Sequence, residues 1–335
     1  NTKIIDASEK ICMPGLVNAH THLAMSIFRE TLDGYTLQDW LEKKIWPMED
    51  KLTSEDVYYA SLLSFREMVS TGTVIANDQY YMSEGTIKAA NEIGARIQIT
   101  RTVNDVGNIE EKRLNELQKL IDEYNNKYEN ITLNVGIHGF YTTGASTVKK
   151  CVDIAKKYDL PVHIHFCENE NEVEDIKEAY KETNAVNVLK KYLDKTHNIL
   201  AHVVKVTDEE IEKLSKMDIS VVHCPISNLR LGCGIAPIQK MIDRGINVSL
   251  GTDGQGSGTN LDMFETMKMT ALLQKGIYEE PQIMSAYEIL KMATINGAKA
   301  LGLDNISGNN SYINSSLQCL INTKPLIDFF LEGKN

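Results

Sequence analysis

At 335 residues, 42% of them hydrophobic, the chain can build either two average domains or one large barrel with a single core. Its 35 Lys and Arg against 46 Asp and Glu leave a formal net charge of −11, and no basic cluster with interleaved aromatics could track phosphates, which argues against nucleic acid as a partner. No apolar run reaches the roughly 18 residues of a membrane helix, and Cys12, Cys151, Cys167, Cys224, Cys233 and Cys319 form no C-x-x-C pair, as expected of reduced, buried thiols in a cytoplasmic protein.

Asn1 to Asp6 lack the charged-then-apolar layout of a signal segment, and the chain starts without an initiator Met, as a fragment or processed chain would. Ile11 to Ala19 then reads as a strand ending in His20-Thr21-His22. Helical spacing of large apolar residues follows over Thr36 to Lys51 and Ser54 to Ser70, and Gly72 stops it. From there short apolar runs alternate with amphipathic stretches. Thr73–Ala76 precedes Glu84–Ile93, Arg96–Val103 precedes Glu110–Tyr128, and Ile131–Ile137 precedes Ser146–Tyr158. Val162–Phe166 precedes Asn171–Lys181, Ile199–Val204 precedes Asp208–Met217, Ile219–Val222 precedes Ile235–Arg244, and Val248–Leu250 precedes Leu261–Lys275. Eight strand candidates, each followed by helical sequence, predict a (β/α)8 barrel; the runner-up is an open doubly wound sheet, whose usual Gly-rich phosphate turn is missing here. From Ile306 the sequence turns polar and rich in turn residues, which predicts an appendage, poorly ordered or packed on the barrel flank.

The chemistry-bearing residues sit at the predicted strand ends. Side chains at i and i+2 of a strand share a face, so His20 and His22 could grip one metal ion. A second pair, His163-Ile164-His165, closes the fifth strand; with 8 histidines in the chain, random placement would give about 0.2 such pairs, so two are a signal. His202 ends the sixth strand, and Asp253 follows the eighth in Gly-Thr-Asp-Gly. A closed barrel gathers the carboxyl ends of all strands on one face, which would bring His20, His22, His165 and Asp253 together. Three imidazoles and a carboxylate suit one divalent ion per chain, Zn2+ first and Fe2+ as the alternative, and such an ion lowers the pKa of water toward about 7. Glu168, three residues after His165, is the natural proton shuttle, while His202 would hydrogen-bond that water or the developing oxyanion. His163 lies one layer deeper, as support for a ligand or as core. By spacing alone His223 is structural, His197 solvated, Trp40 core and Glu49 a solvated face.

Pro14-Gly15-Leu16-Val17-Asn18-Ala19-His20-Thr21-His22 resembles the first-strand signature of the amidohydrolase superfamily, as do His163-Ile164-His165-Phe166-Cys167-Glu168, Ser227 to Pro237 and Gly251-Thr252-Asp253-Gly254. Within that superfamily the chain resembles the 5'-methylthioadenosine/S-adenosylhomocysteine deaminases over residues 3–304. The resemblance implies His20, His22, His165 and Asp253 as ligands of a mononuclear centre, Asp253 as acceptor of the water's proton, His202 as its orienting partner, and Glu168 as proton donor to adenine N1. It implies a small-molecule nucleoside as partner, with a homo-oligomer left open. It further implies that Trp40 lines the nucleoside pocket, Glu49 accepts from the ribose hydroxyls, His138 touches ribose or base, and Arg101 and Arg113 meet the amino-acid carboxylate of S-adenosylhomocysteine, for which guanidinium forks are suited.

The resemblance also implies a flanking β-sandwich, of which residues 1–12 would be a remnant leading into a barrel at 13–304, with 305–335 a divergent tail. Gly139-Phe140-Tyr141 departs from relatives that place a Pro before the Tyr. Two other readings stand beside the deaminase: another member of the superfamily acting on guanine, cytosine or a triazine, and a truncated, catalytically silent barrel that binds a nucleoside.

Overall fold

The computed structural model describes residues 10–32, 34–303 and 317–321. Its strands are β1 (Lys10–Pro14), β2 (Leu16–Thr21), β3 (Thr73–Tyr80), β4 (Arg96–Val103), β5 (Ile131–Ile137), β6 (Val162–Phe166), β7 (Asn198–His202), β8 (Ile219–His223), β9 (Asn247–Leu250) and β10 (Leu317–Ile321). Strands β2 to β9 form one eight-stranded sheet in sequence order, each pair parallel. That order, with helices between successive strands, is the (β/α)8 barrel that the alternation predicts, and the open doubly wound sheet is ruled out.

The seam between β9 and β2 is sewn by side chain as well as backbone. Asp253 N–H donates to His20 O at 3.1 Å, and the Asn18 amide bridges both ways, accepting from Thr252 N–H at 3.1 Å and donating to Thr252 Oγ1 at 2.7 Å. Inside, Asn77, Thr100, Asn134 and His163 are fully buried and mutually bonded, a polar layer that leaves Asn134 Oδ1 without a partner. Val17, Ala19, Ile75, Ile199 and Val222 pack with Ala298 and Leu301, and Gln98 Nε2 donates to Leu301 O at 3.1 Å.

Several predicted elements are corrected. The strand expected over Ile11–Ala19 breaks at Gly15: Lys10–Pro14 pairs antiparallel with Leu317–Ile321 instead of joining the barrel sheet, which starts at Leu16. The strand expected to stop at Ala76 runs on to Tyr80, since Asn77 and Gln79 bond inside the barrel while Asp78, on the opposite face, accepts from Leu23 N–H and Thr86 Oγ1 in the helix layer. The helix expected over Thr36–Lys51 contains a π turn at Leu41–Ile45 between Leu37–Trp40 and Trp46–Glu49. The strand expected over Ile199–Val204 ends at His202, and the helix expected to reach Tyr128 ends at Tyr124. Most of the expected tail lies outside the described residues; within it, β10 returns to pair with β1. Among the described residues no helix is long and apolar enough to cross a membrane.

Candidate metal centre

Each candidate ligand is delivered by a strand end. His20 is in β2 and His22 just beyond it, after a register shift between Asn18 and Thr21 that lets both rings turn inward. His165 is on β6, and Asp253 follows β9 with φ 60, a left-handed backbone that a non-glycine residue adopts only under constraint. Atoms of His20, His22 and His165 that could hold a metal lie within 4.8 Å of one another, as do those of His20, His202 and Asp253. Asp253 Oδ1 stands 3.4 Å from His20 Nε2 and 3.1 Å from His22 Nε2, and His165 Nε2 is 3.4 Å from His22 Nε2. The three rings expected to hold an ion thus turn the same nitrogen to one point.

The opposite nitrogen of each ring is held. His22 Nδ1 meets Gln79 O, His165 Nδ1 meets His138 O at 2.6 Å, and His20 Nδ1 meets His163 Nε2 at 2.9 Å. A ring that donates Nδ1–H to a carbonyl presents a bare Nε2 lone pair, the form that binds a metal. His20 Nε2 is buried without a hydrogen-bond partner, as a ligand atom awaiting a cation would be. Electrostatics agrees. Burial alone would lower His22, but hydrogen bonding and charge from Asp253, with the Gln79 carbonyl, raise it to about 9, so the site draws a positive charge onto that ring. His20 falls to about 4 through burial, and burial also drives His165 well below its usual range, so both rings are neutral donors. Burial would raise Asp253, yet the His20 and His22 rings beside it hold its carboxylate well below the usual range. Ser227 Oγ and Ser257 Oγ donate to its Oδ2 at 2.5 and 2.8 Å. The residues fit a divalent cation.

Around this centre stand the other predicted residues. Glu168 is buried, with Oε2 3.8 Å from His202 Nε2, and burial followed by the Asp253 charge pushes its carboxyl up to about 8. His202, at φ 75, shares a 2.8 Å hydrogen bond between Nδ1 and Asn228 Oδ1, which leaves Nε2 facing the site. A cavity opens here, with His22, His138, His165, Glu168, His202 and Asp253 on its chemical side and Trp40, Trp46, Tyr80, Tyr81 and Leu231 on the other. Trp40 is buried, as its spacing predicts, and it lines this cavity too. Glu49 is not the solvated face that spacing predicts: it faces the cavity beside Tyr80, and burial pushes it up to about 7.

Arg101 and Arg113 are placed differently. They line a neighbouring cavity of about 530 Å³ that shares Trp46, Glu49 and Tyr81 with the first. Arg101 pairs with Glu116, Arg113 Nη1 donates to the carbonyls of Asn104 and Val106, and both guanidinium groups lie over the Tyr81 ring, at 5.4 and 6.0 Å. His138, part-buried, shares a hydrogen bond with Thr142 Oγ1 at 2.8 Å and, through its carbonyl, orients His165. His197 is not merely solvated: it meets Asp218 at 2.9 Å and Ala300 O at 3.0 Å.

Sequence reasoning missed Asn18, Ser227, Asn228, Ser257 and the carbonyls of Gln79 and His138. Ser227 and Asn228 lie inside a motif that carried the resemblance; the carbonyls have no signature, since every residue has one.

An eight-stranded α/β barrel with a histidine-rich divalent-metal centre at the carboxyl ends of its strands defines a class, the metal-dependent hydrolases of barrel fold. The chain belongs to the Amidohydrolase family, whose pattern it matches over residues 11–309. It is 42% identical to a 5-methylthioadenosine/S-adenosylhomocysteine deaminase of Caldanaerobacter subterraneus subsp. tengcongensis, over 89% of this chain and 70% of the relative. It is 41% identical to a 5'-deoxyadenosine deaminase of Methanocaldococcus jannaschii, over 90% of this chain and 73% of the relative. Among solved structures it is similar to an adenosine deaminase from Xanthomonas campestris with bound zinc, at a TM-score of 0.84 and 30% identity, over 88% of this chain and 68% of that one. Within its family this chain is a deaminase.

Proposed function

We propose that the chain hydrolyses the C6 amino group of an adenine nucleoside, and that its substrate is S-adenosylhomocysteine, 5'-methylthioadenosine or adenosine, with 5'-deoxyadenosine joining them on the strength of its relatives. The observation that carries the reading is the convergence of three imidazoles and Asp253 beside the buried Glu168 carboxyl, which burial and the Asp253 charge push up to about 8. His20, His22, His165 and Asp253 would hold one Zn2+ or Fe2+, which when bound supplies Lewis-acid activation of a water.

The chain's own groups do the rest. Asp253 accepts the proton the water gives up, with His202 orienting that water through Nε2. Oxygen adds to C6 as Glu168 protonates N1, so negative charge never accumulates on the ring. Collapse expels ammonia: the C6 hydroxyl returns a proton to Glu168 as C6=O forms, and the proton held by Asp253 goes to the leaving nitrogen, so adenine plus water becomes hypoxanthine plus ammonia. Trp40 and His138 would wall the base and ribose, and Glu49 would accept from the ribose hydroxyls. Arg101 and Arg113 in the adjoining cavity favour a nucleoside with an amino-acid tail over guanine, cytosine or a triazine, which need neither arginine. The same reading takes 13–304 as the catalytic barrel, with 1–12 and 305–335 as edges of a companion sheet.

The test is direct. Zinc-loaded protein should release ammonia and shift the adenine absorbance of at least one of the four nucleosides. Inactivity on all four would defeat the reading; a chain that binds the metal yet turns nothing over would be the silent barrel.

A further inference from the structure

The Glu168 carboxyl is aimed by a turn that another buried acid holds. Strand β6 ends at Phe166, and Cys167 then takes φ 52, in the left-handed region. Here two successive backbone N–H groups have no strand to bond. Both donate to one carboxylate: Cys167 N–H to Glu172 Oε1 at 2.8 Å, and Glu168 N–H to Glu172 Oε2 at 2.6 Å. The other side of the turn is tied as well, because Cys167 O accepts from Val204 and Lys205 N–H at 2.9 and 2.8 Å, in the loop just after His202.

Glu172 is an unusual group to find there. It is the third residue of helix Glu170–Tyr180, where a Glu commonly reaches back to the N-cap N–H and remains in solvent. This one is fully buried, reaches past the cap residue Asn169, and has backbone N–H groups rather than a cation as its partners. Burying a carboxylate is costly unless its acceptors are used, and here both oxygens are used on the turn that presents Glu168.

We propose that Glu172 is a positioning residue: its two oxygens lock the Cys167–Glu168 backbone so that the Glu168 carboxyl meets the base, and it governs proton delivery without touching substrate. The inference rests on the reading of Glu168 as proton donor. It carries a distinctive consequence. The exocyclic amino group feeds electron density into the ring, so water adds to C6 only as Glu168 protonates N1, whereas the chlorine of 6-chloropurine riboside leaves C6 more electrophilic; that substrate should depend less on Glu168 and therefore less on Glu172.

The experiment compares zinc-loaded wild type, E168Q, E172Q, E172D and N169A on 5'-methylthioadenosine and 6-chloropurine riboside, with zinc content and thermal unfolding measured on each sample. Glu172→Gln leaves one N–H facing an amide NH2, and Glu172→Asp reaches only one N–H. Both should lower kcat on methylthioadenosine about 10- to 100-fold, with zinc retained, KM within about threefold, and a smaller loss on the chloro substrate. Asn169→Ala, which weakens the same helix end without releasing the turn, should lower stability and leave the substrate ratio at its wild-type value. Wild-type kcat in either Glu172 variant, an equal loss on both substrates, a shifted ratio in N169A, or failure of both Glu172 variants to fold would overturn the inference. An inactive wild type or an active E168Q would instead overturn the reading beneath it, and the inference with it.

Discussion

At the scale of single residues, the neighbours of a buried acid decide what it does. Glu168 and Asp253 are both buried near one another, but the His20 and His22 rings keep Asp253 ionised, whereas burial and the Asp253 charge keep Glu168 protonated up to about pH 8. Glu168→Gln keeps the shape and loses the proton, so kcat should fall by about 10²–10⁴ while zinc content stays at the wild-type level; an active, zinc-loaded variant would remove Glu168 from the mechanism. The sign of the pH dependence follows. A raised carboxyl pKa means the donor is present below about 8 and lost above it, so kcat/KM should decline on the alkaline side of about pH 8. A profile flat from pH 7 to 10 would contradict this. Arg101 belongs to this scale too. Its exchange for Ala should raise KM for S-adenosylhomocysteine about 10- to 100-fold, the worth of a charge-assisted hydrogen bond of ~1.5–3 kcal/mol, and leave methylthioadenosine nearly unchanged. Equal effects on both substrates would mean that the Arg101–Glu116 pair is purely structural.

At the scale of elements, the strand ends act as a jig. Three of the turns that leave the barrel on its catalytic side pass through left-handed residues, at Cys167, at His202 and Val203, and at Asp253. Strain at such points persists only where the surroundings hold it, and here Glu172, the 203–205 loop and the Asn18–Thr252 bridge do so. Gly251 shows how little slack remains: a Cβ there would stand 2.8 Å from His20 O and 3.0 Å from His20 Cβ. Gly251→Ala should therefore displace the β2 end, lowering zinc affinity and stability together by an overpacking cost of about 1–3 kcal/mol, readable by metal titration and thermal unfolding. Unchanged zinc affinity would show that the seam can yield without moving His20. The strand and helix alternation was legible because apolar runs and amphipathic stretches differ in period. The polar half of β3 was not, because Asn77, Asp78 and Gln79 look like a turn until the barrel interior supplies partners for Asn77 and Gln79 and the helix layer for Asp78.

At the scale of the whole molecule, the metal should be part of the fold's stability. An ion that binds only the folded chain adds about 2.7 kcal/mol at a hundredfold excess over Kd, so zinc should raise Tm by roughly 5 °C and a chelator should reverse it. No response to either would contradict the centre. What the sequence determined by itself was chemical identity and count: eight strand-and-helix units, two H-x-H pairs, a Glu three residues on, and an Asp in a turn. Those are local, written in side-chain type and spacing. Only the tertiary structure decided that His20 and Asp253, far apart in the chain, stand 3.4 Å apart, that Gln79 and His138 carbonyls set the ring orientations, and that Glu172 turns back to hold Glu168. The physical reason is that barrel closure and strand register are collective, and the groups that orient the ligands are largely backbone atoms, which every residue carries and no sequence pattern marks.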